Sequence, residues 1–131
     1  MTRDLRQVLA NIEPILNPGT YAFIVTNSRG MIDLTYVVAS IREHEGITLV
    51  VDEEIALGIG VPIAFTAAWI TLKVKSDISA IGLASAVSVA LANVGISCNV
   101  VSGIHHNHFF VPVEQAQRAL NVLLALQQSA A

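Results

Sequence analysis

The chain has 131 residues, 53% hydrophobic and 13% charged, with a formal net charge of −3 at pH 7. That length suits one compact domain or two small fused modules, and so little formal charge implies a hidden face, read as the interface of a homo-oligomer, most simply a dimer. The Lys and Arg residues are scattered, which excludes the phosphate neutralisation that nucleic-acid binding needs; Gly58, Gly60 and Pro62 interrupt the charge-free stretch Ile55–Leu72, which argues against a membrane span; and a single cysteine, Cys98, fits a reducing cytoplasm.

The opening MTRDLRQVLANIEP carries Asp and Glu where a secretory signal needs an apolar run. Leu5, Val8, Leu9 and Ile12 fall at helical spacing and predict a short amphipathic helix over Asp4–Glu13, ended by Pro14, Asn17, Pro18 and Gly19. Tyr21–Thr26 reads as a strand, and Asn27, Ser28, Arg29 and Gly30 as a turn. Two strands follow, around Tyr36–Arg42 and Ile47–Val51, joined through Glu43-His44-Glu45-Gly46, where Gly allows a positive φ. Asp52 is placed to cap a short helix running to about Leu57. Gly58–Pro62 is the natural boundary, giving halves 1–62 and 63–131. In the second half, Ala68–Lys75 alternates as a strand, with Trp69, Thr71, Lys73 and Lys75 on one face and Ile70, Leu72 and Val74 on the other. A helix over about Ser79–Val94 carries Leu83, Val87, Leu91 and Val94 as its apolar stripe and ends at Gly95. Ile96–Ser102 and Phe109–Val113 pair through Gly103–His108, and a last helix opens at Glu114 with Ala116, Ala119, Leu120, Leu123 and Leu124 inward, fraying from Gln127. Between Asp77 and Glu114 there is no Asp, Glu, Lys or Arg, so this stretch is buried, lies against another subunit or encloses a ligand. The order β-α-β-β-α is that of an α+β, ferredoxin-like sandwich lacking its last strand, while the first half supplies β-β-β-α. Each half can provide what the other lacks, which predicts an antiparallel sheet with helices packed on one face.

Several pieces in combination carry a family resemblance: Val74, the turn Ser76–Ile81, Gly82, the helix, and Gly95-Ile96; the run Ile41–Val50; Ala68–Leu72; Gly95–Gly103; and His106–Val113. The chain resembles the ACT domain, the small-molecule-sensing module of amino-acid metabolism. From about Tyr21 it looks like a subfamily of small tandem ACT proteins, and it is similar to the ACT pairs of cytosolic arginine sensors. The resemblance implies two ACT-like halves sharing elements and a non-catalytic regulatory role without a cofactor. It also implies a small-molecule ligand, an amino acid, held across a subunit or domain interface. Carried over residue by residue, it puts Asp77, Ile81 and Gly82 on one wall of the ligand site and Ile96, Ser97, Cys98 and Asn99 on the other. The sequence departs from relatives at Asn107, where an acidic residue is expected; an Asn there does not balance the positive charge of a basic amino acid.

Each of these residues also has a plainer role. Gly82 permits either a ligand carboxylate at the helix start or close helix–sheet packing. Asp77 serves as a helix cap or an amine partner. Asn99 hydrogen-bonds a ligand or, if buried, protein groups. His105, His106 and His108 form either a polar hairpin turn, an interface cluster titrating near neutrality, or part of a metal site with Cys98. A small metal or thiol enzyme built on Cys98 and His105–His108 is therefore one alternative, and a structural dimerisation module without ligand is the other. Glu43-His44-Glu45 sits at a hairpin tip that does not exclude water, and Ser85 and Ser88 have no base in sequence reach, so neither predicts catalysis. Trp69 and Tyr21 read as sheet-face packing or interface residues.

Overall fold

A computed structural model describes residues 3–27, 32–73 and 82–130, with the side chains of Arg3 and Asp4 outside the description. The chain divides into two compact units. One, here the terminal unit, is built from residues 3–18, 68–73 and 82–130; the other, the middle unit, from residues 19–27 and 32–67.

The terminal unit starts with helix α1 (Arg3–Ala10) and strand β1 (Pro14–Leu16). The sequence predicts a helix to Glu13, ended by Pro14, Asn17, Pro18 and Gly19. Instead the helix stops at Ala10, and β1 pairs antiparallel with β5 (Phe65–Leu72), Pro14 opposite Leu72 and Leu16 opposite Ile70. Proline at the first position of a short outer strand removes no ladder bond that matters. After β5 come α3 (Leu83–Ala92), β6 (Asn99–Ser102), β7 (Asn107–Pro112) and α4 (Ala116–Ala130), and the strands of this unit lie in the order β1-β5-β7-β6. Thus β1 supplies the fourth strand that the β-α-β-β-α half lacks. Along β5 the alternation is as the sequence predicts: Ala68, Ile70 and Leu72 enter the core, while Trp69 and Thr71 meet His108 on the other face.

That core joins Leu9 and Ile12 to Leu83, Val87 and Leu91 of α3, Phe109 and Val111 of β7, and Ala119 and Leu123 of α4. Each large side chain withdrawn from water here contributes about 1.5–3 kcal/mol. The end of α3 is closed by a paired motif: Ile96 N–H donates to Leu91 O at 3.0 Å and Gly95 N–H to Ala92 O at 3.0 Å, with Gly95 at φ 78°. Ile96 then packs into the same core as Leu91, the hydrophobic contact that accompanies this kind of helix stop. At the other terminus α4 does not fray from Gln127; it continues to Ala130, which is buried against the core.

In the middle unit β2 (Tyr21–Thr26) is followed by a 3-10 turn (Leu34–Tyr36), β3 (Val37–Glu43), β4 (Gly46–Asp52) and α2 (Glu53–Ile59), and then by the first residues of β5. Its strands lie in the order β3-β4-β2-β5, all antiparallel, with Tyr21 opposite Asp52 on one side and Ala67 on the other. Ala22, Ile24, Leu49 and Val51 point to one face, where α2 covers them through Ala56. Asp52 occupies the position before α2 but makes no side-chain capping bond, contrary to the sequence reading. Tyr36, read as strand, belongs to the 3-10 turn, whose cap is Asp33 accepting from Thr35 N–H at 2.9 Å. Both units are thus ferredoxin-like antiparallel sheets with helices on one face; the boundary between them falls within β5, at Ala67 and Ala68.

Candidate functional site

Of the residues singled out as ligand walls, Asp77 and Ile81 lie outside the described residues, and the others belong to the terminal unit. Gly82 precedes α3 with φ 94°, a backbone conformation that favours glycine. Ala86 N–H donates to Gly82 O at 2.8 Å as the first rung of the helix, which leaves the N–H groups of Leu83, Ala84 and Ser85 outside the helical ladder. A Cβ at Gly82 would stand 3.2 Å from Leu5 Cδ2, so the missing side chain admits Leu5 of α1.

At the other end of α3, Ile96 is fixed in the core, Cys98 is half-buried with its thiol donating to Ser88 Oγ at 3.7 Å, and Ser97 and Asn99 are exposed. The predicted strand start at Ile96 is corrected to Asn99, because Ile96 closes the helix instead of pairing in the sheet. A ten-residue helix rises about 15 Å from end to end, so within one chain Gly82 and the Ile96–Asn99 segment stand at opposite ends of α3. Asn107, the position of the unexpected amide, accepts from Ser102 Oγ at 2.8 Å across the β6–β7 hairpin.

The histidines and Cys98 have different neighbours. His108 Nδ1 is 3.0 Å from Trp69 Nε1 and 3.2 Å from Thr71 Oγ1, and the Thr71 hydroxyl also accepts from Asn17 Nδ2 at 2.9 Å. The His106 and His108 rings are 6.4 Å apart, and His106 Nδ1 is buried without a hydrogen-bond partner among the described residues. Burial and then the neighbouring His106 ring hold the His108 imidazole below the ordinary 6.5. Among the described residues no three of His, Cys, Asp and Glu come together in a way that could hold a metal. Sequence reasoning placed Trp69 on a packing face; the register that brings it to His108 was not visible, since hairpin pairing is set in three dimensions.

Described residues of the middle unit line two clefts that the sequence did not announce. One, of about 300 Å³, is lined by Ile32, Asp33, Tyr36, Glu54, Ile55, Gly58 and Ile59. The other, of about 570 Å³, adds Gly19, Thr20, Asp52 and Glu53 around the same Tyr36, Glu54 and Ile55. Burial, followed by the Asp52 carboxylate, pushes the Tyr21 hydroxyl above 10.0 at this end of the sheet. At the opposite end, Glu43 accepts from Thr48 Oγ1 beside the exposed turn, so the acid–His–acid tip is tied to its own hairpin.

Two family models, each describing an ACT domain, match residues 2–68 and 65–125. A crystal structure of a Vibrio cholerae protein of unknown function, described as a possible transport protein, is 38% identical over 96% of this chain and 98% of that one, with a TM-score of 0.86. An Agrobacterium tumefaciens protein is 17% identical over 88% of this chain and 89% of its own, with a TM-score of 0.64. The ligand-free regulatory subunit of aspartate kinase from Thermus thermophilus is 12% identical over 86% of this chain and 95% of that one, with a TM-score of 0.62. At such identities the last two establish likeness of fold alone. No curated protein matches the chain.

Proposed function

The chain belongs to the ACT domain family, and from that premise we propose that it is a non-catalytic regulatory protein that binds a small metabolite, an amino acid, at an interface between copies of itself. What carries the reading is the pair of ACT-domain matches, which together span nearly the whole chain. The geometry adds a condition. Gly82 and the Ile96–Asn99 segment are separated by the length of α3, so a ligand touching both takes one wall from each of two chains. On this reading the amides at the start of α3 face the carboxylate, with Asp77, Ile81 and Gly82 beside it, while Ser97, Cys98 and Asn99 of a second copy meet the rest of the ligand. The sequence halves 1–62 and 63–131 are then the two repeats, with α1 and β1 of the first half completing the unit built mainly by the second, and they work as a cytoplasmic homodimer in which binding biases the assembly. No helix among the described residues is long and apolar enough to cross a membrane.

One observation favours a second reading. Leu5 already fills the space beside Gly82, as it would in a dimerisation module without ligand. A thermal-shift panel of the common amino acids, combined with sedimentation at each stabilising condition, separates the two. The sensor reading expects one or two stabilisers, a change in assembly with them, and loss of both responses in Asn99→Ala. A flat panel on a stable dimer leaves only the structural module.

A further inference from the structure

On the face of the terminal unit's sheet opposite its helices, four side chains form a directed chain: Asn17 Nδ2 to Thr71 Oγ1 at 2.9 Å, Thr71 Oγ1 to His108 Nδ1 at 3.2 Å, and Trp69 Nε1 to the same Nδ1 at 3.0 Å. Their donor capacities fix the direction. An indole N–H only donates, and Thr71 Oγ1, already accepting from Asn17, has its own proton free for His108. His108 Nδ1 is therefore the bare acceptor, and its proton sits on Nε2. The same indole lies over Phe110, ring centroids 6.2 Å apart and planes 20° apart, and Phe110 is fully buried.

A protonated imidazole carries N–H on both nitrogens and accepts nothing. Thr71 adapts by rotating its hydroxyl; Trp69 has no such freedom, because its indole N–H then faces another N–H. We propose that His108 is a proton-operated latch: a second proton on its ring releases the Trp69 indole and unseats the Trp69–Phe110 stack.

The charged surroundings offer little to oppose this. Among the described residues, the titratable group against His108 on its own hairpin is His106, with His105 beside that ring at 6.3 Å between centroids. β5 contributes Trp69 and Thr71, and β6 places Val101 opposite His108. Lys73 and Glu13, joined by Lys73 N–H to Glu13 O at 3.1 Å, alternate onto this face beyond the Ile15–Thr71 pair. The sign follows from burial and the His106 ring, which hold His108 below 6.5. A histidine depressed on folding keeps its full stabilisation above 6.5 and loses it as pH falls through the folded-state value.

Trp69 is the chain's single tryptophan, so its indole N–H gives one NMR resonance that reports the bond directly. In the wild-type chain that resonance is expected to shift in one step whose midpoint coincides with the titration of the His108 ring proton and lies below 6.5. His108→Gln keeps an acceptor but does not titrate, and the step should vanish; His106→Gln should move the wild-type midpoint upward. An indole resonance that stays put while the His108 ring titrates, or a step that survives in His108→Gln, overturns the latch. If His108→Gln does not fold, agreement or disagreement of the two midpoints in the wild-type chain still decides.

Discussion

The terminal and middle units share a strand plan and differ in the layer above it. In the terminal unit α1, α3 and α4 close over β5 and β7, and the buried cluster includes Phe109, Ile70, Leu72, Leu91 and Leu123. In the middle unit the described residues place only α2 over the sheet, and the cluster shrinks to Ala22, Ile24, Leu49, Val51 and Ala56. Where the terminal unit runs α3 between β5 and β6, the middle unit has the 3-10 turn Leu34–Tyr36 between β2 and β3, and Leu34 and Tyr36 are 79% and 50% exposed. The same antiparallel sheet is therefore held with very different amounts of apolar burial. Stability within a chain follows local burial, so the terminal unit should be the more persistent and the middle unit the first to open.

The largest test of that contrast is Phe109→Ala. Phe109 is fully buried at the centre of the terminal core, and deleting its ring should cost about 3–5 kcal/mol. Urea unfolding measures the loss directly, and native-state hydrogen exchange gives the order of opening. Amides of β3 should exchange before those of β7. A loss below about 1 kcal/mol at position 109, or β7 opening first, removes the asymmetry.

A pair of glycines in the middle unit sharpens the comparison at smaller scale. Gly46 follows the two-residue turn between β3 and β4, and a Cβ there would lie 2.8 Å from Asn27 Oδ1 and 3.0 Å from Val25 Cγ1, with φ 152°. Gly46→Ala should destabilise by about 1–3 kcal/mol. Gly58, inside α2, has nothing within 4 Å of its Cβ position, so Gly58→Ala should stabilise by about 0.5 kcal/mol through helix propensity alone. Opposite signs in two thermal melts are expected; equal signs would mean that the space around these glycines does not control the unit's stability.

Legibility in the sequence tracked how long a pattern ran. Ala68, Ile70 and Leu72 alternate over a full strand, and Leu83, Val87 and Leu91 repeat at helical spacing, so β5, α3 and the core between them could be read. β1 could not, because three residues that begin with Pro14 leave no period to recognise and only their pairing with Leu72–Ile70 makes them a strand. The stop of α3 was legible as Gly95, but the capture of Ile96 by Leu91 O was not, and that bond moves the strand start to Asn99. As for the candidate site, the residue types at Gly82 and Ile96–Asn99 were visible through their resemblance. The 15 Å or so of helix between them and the Leu5 side chain against Gly82 depend on packing between segments distant in sequence. The Trp69–His108 bond is of the same kind, since 39 positions separate the partners.

The smallest expected effect lies at the middle unit's substitute for a helix. Asp33 accepts from Thr35 N–H at 2.9 Å, and this bond, together with the Thr35 hydroxyl, holds its carboxyl below 3.8. A depressed carboxylate adds stability above its unfolded value and loses it as pH falls through the folded one. Asp33 is fully exposed, so solvent screens most of that contribution. Asp33→Ala should therefore leave the global melt nearly unchanged while speeding amide exchange at Thr35 and Tyr36. In the wild-type chain the same acceleration should appear only as pH is lowered through the Asp33 titration, after correction for intrinsic exchange. Exchange at Thr35 that is indifferent to both the substitution and acid would mean that packing of the turn, not its cap, keeps it folded. The middle unit would then owe more to Ile32, Ile55 and Ile59, the apolar residues lining the cleft beneath, than the contrast with the terminal unit allows.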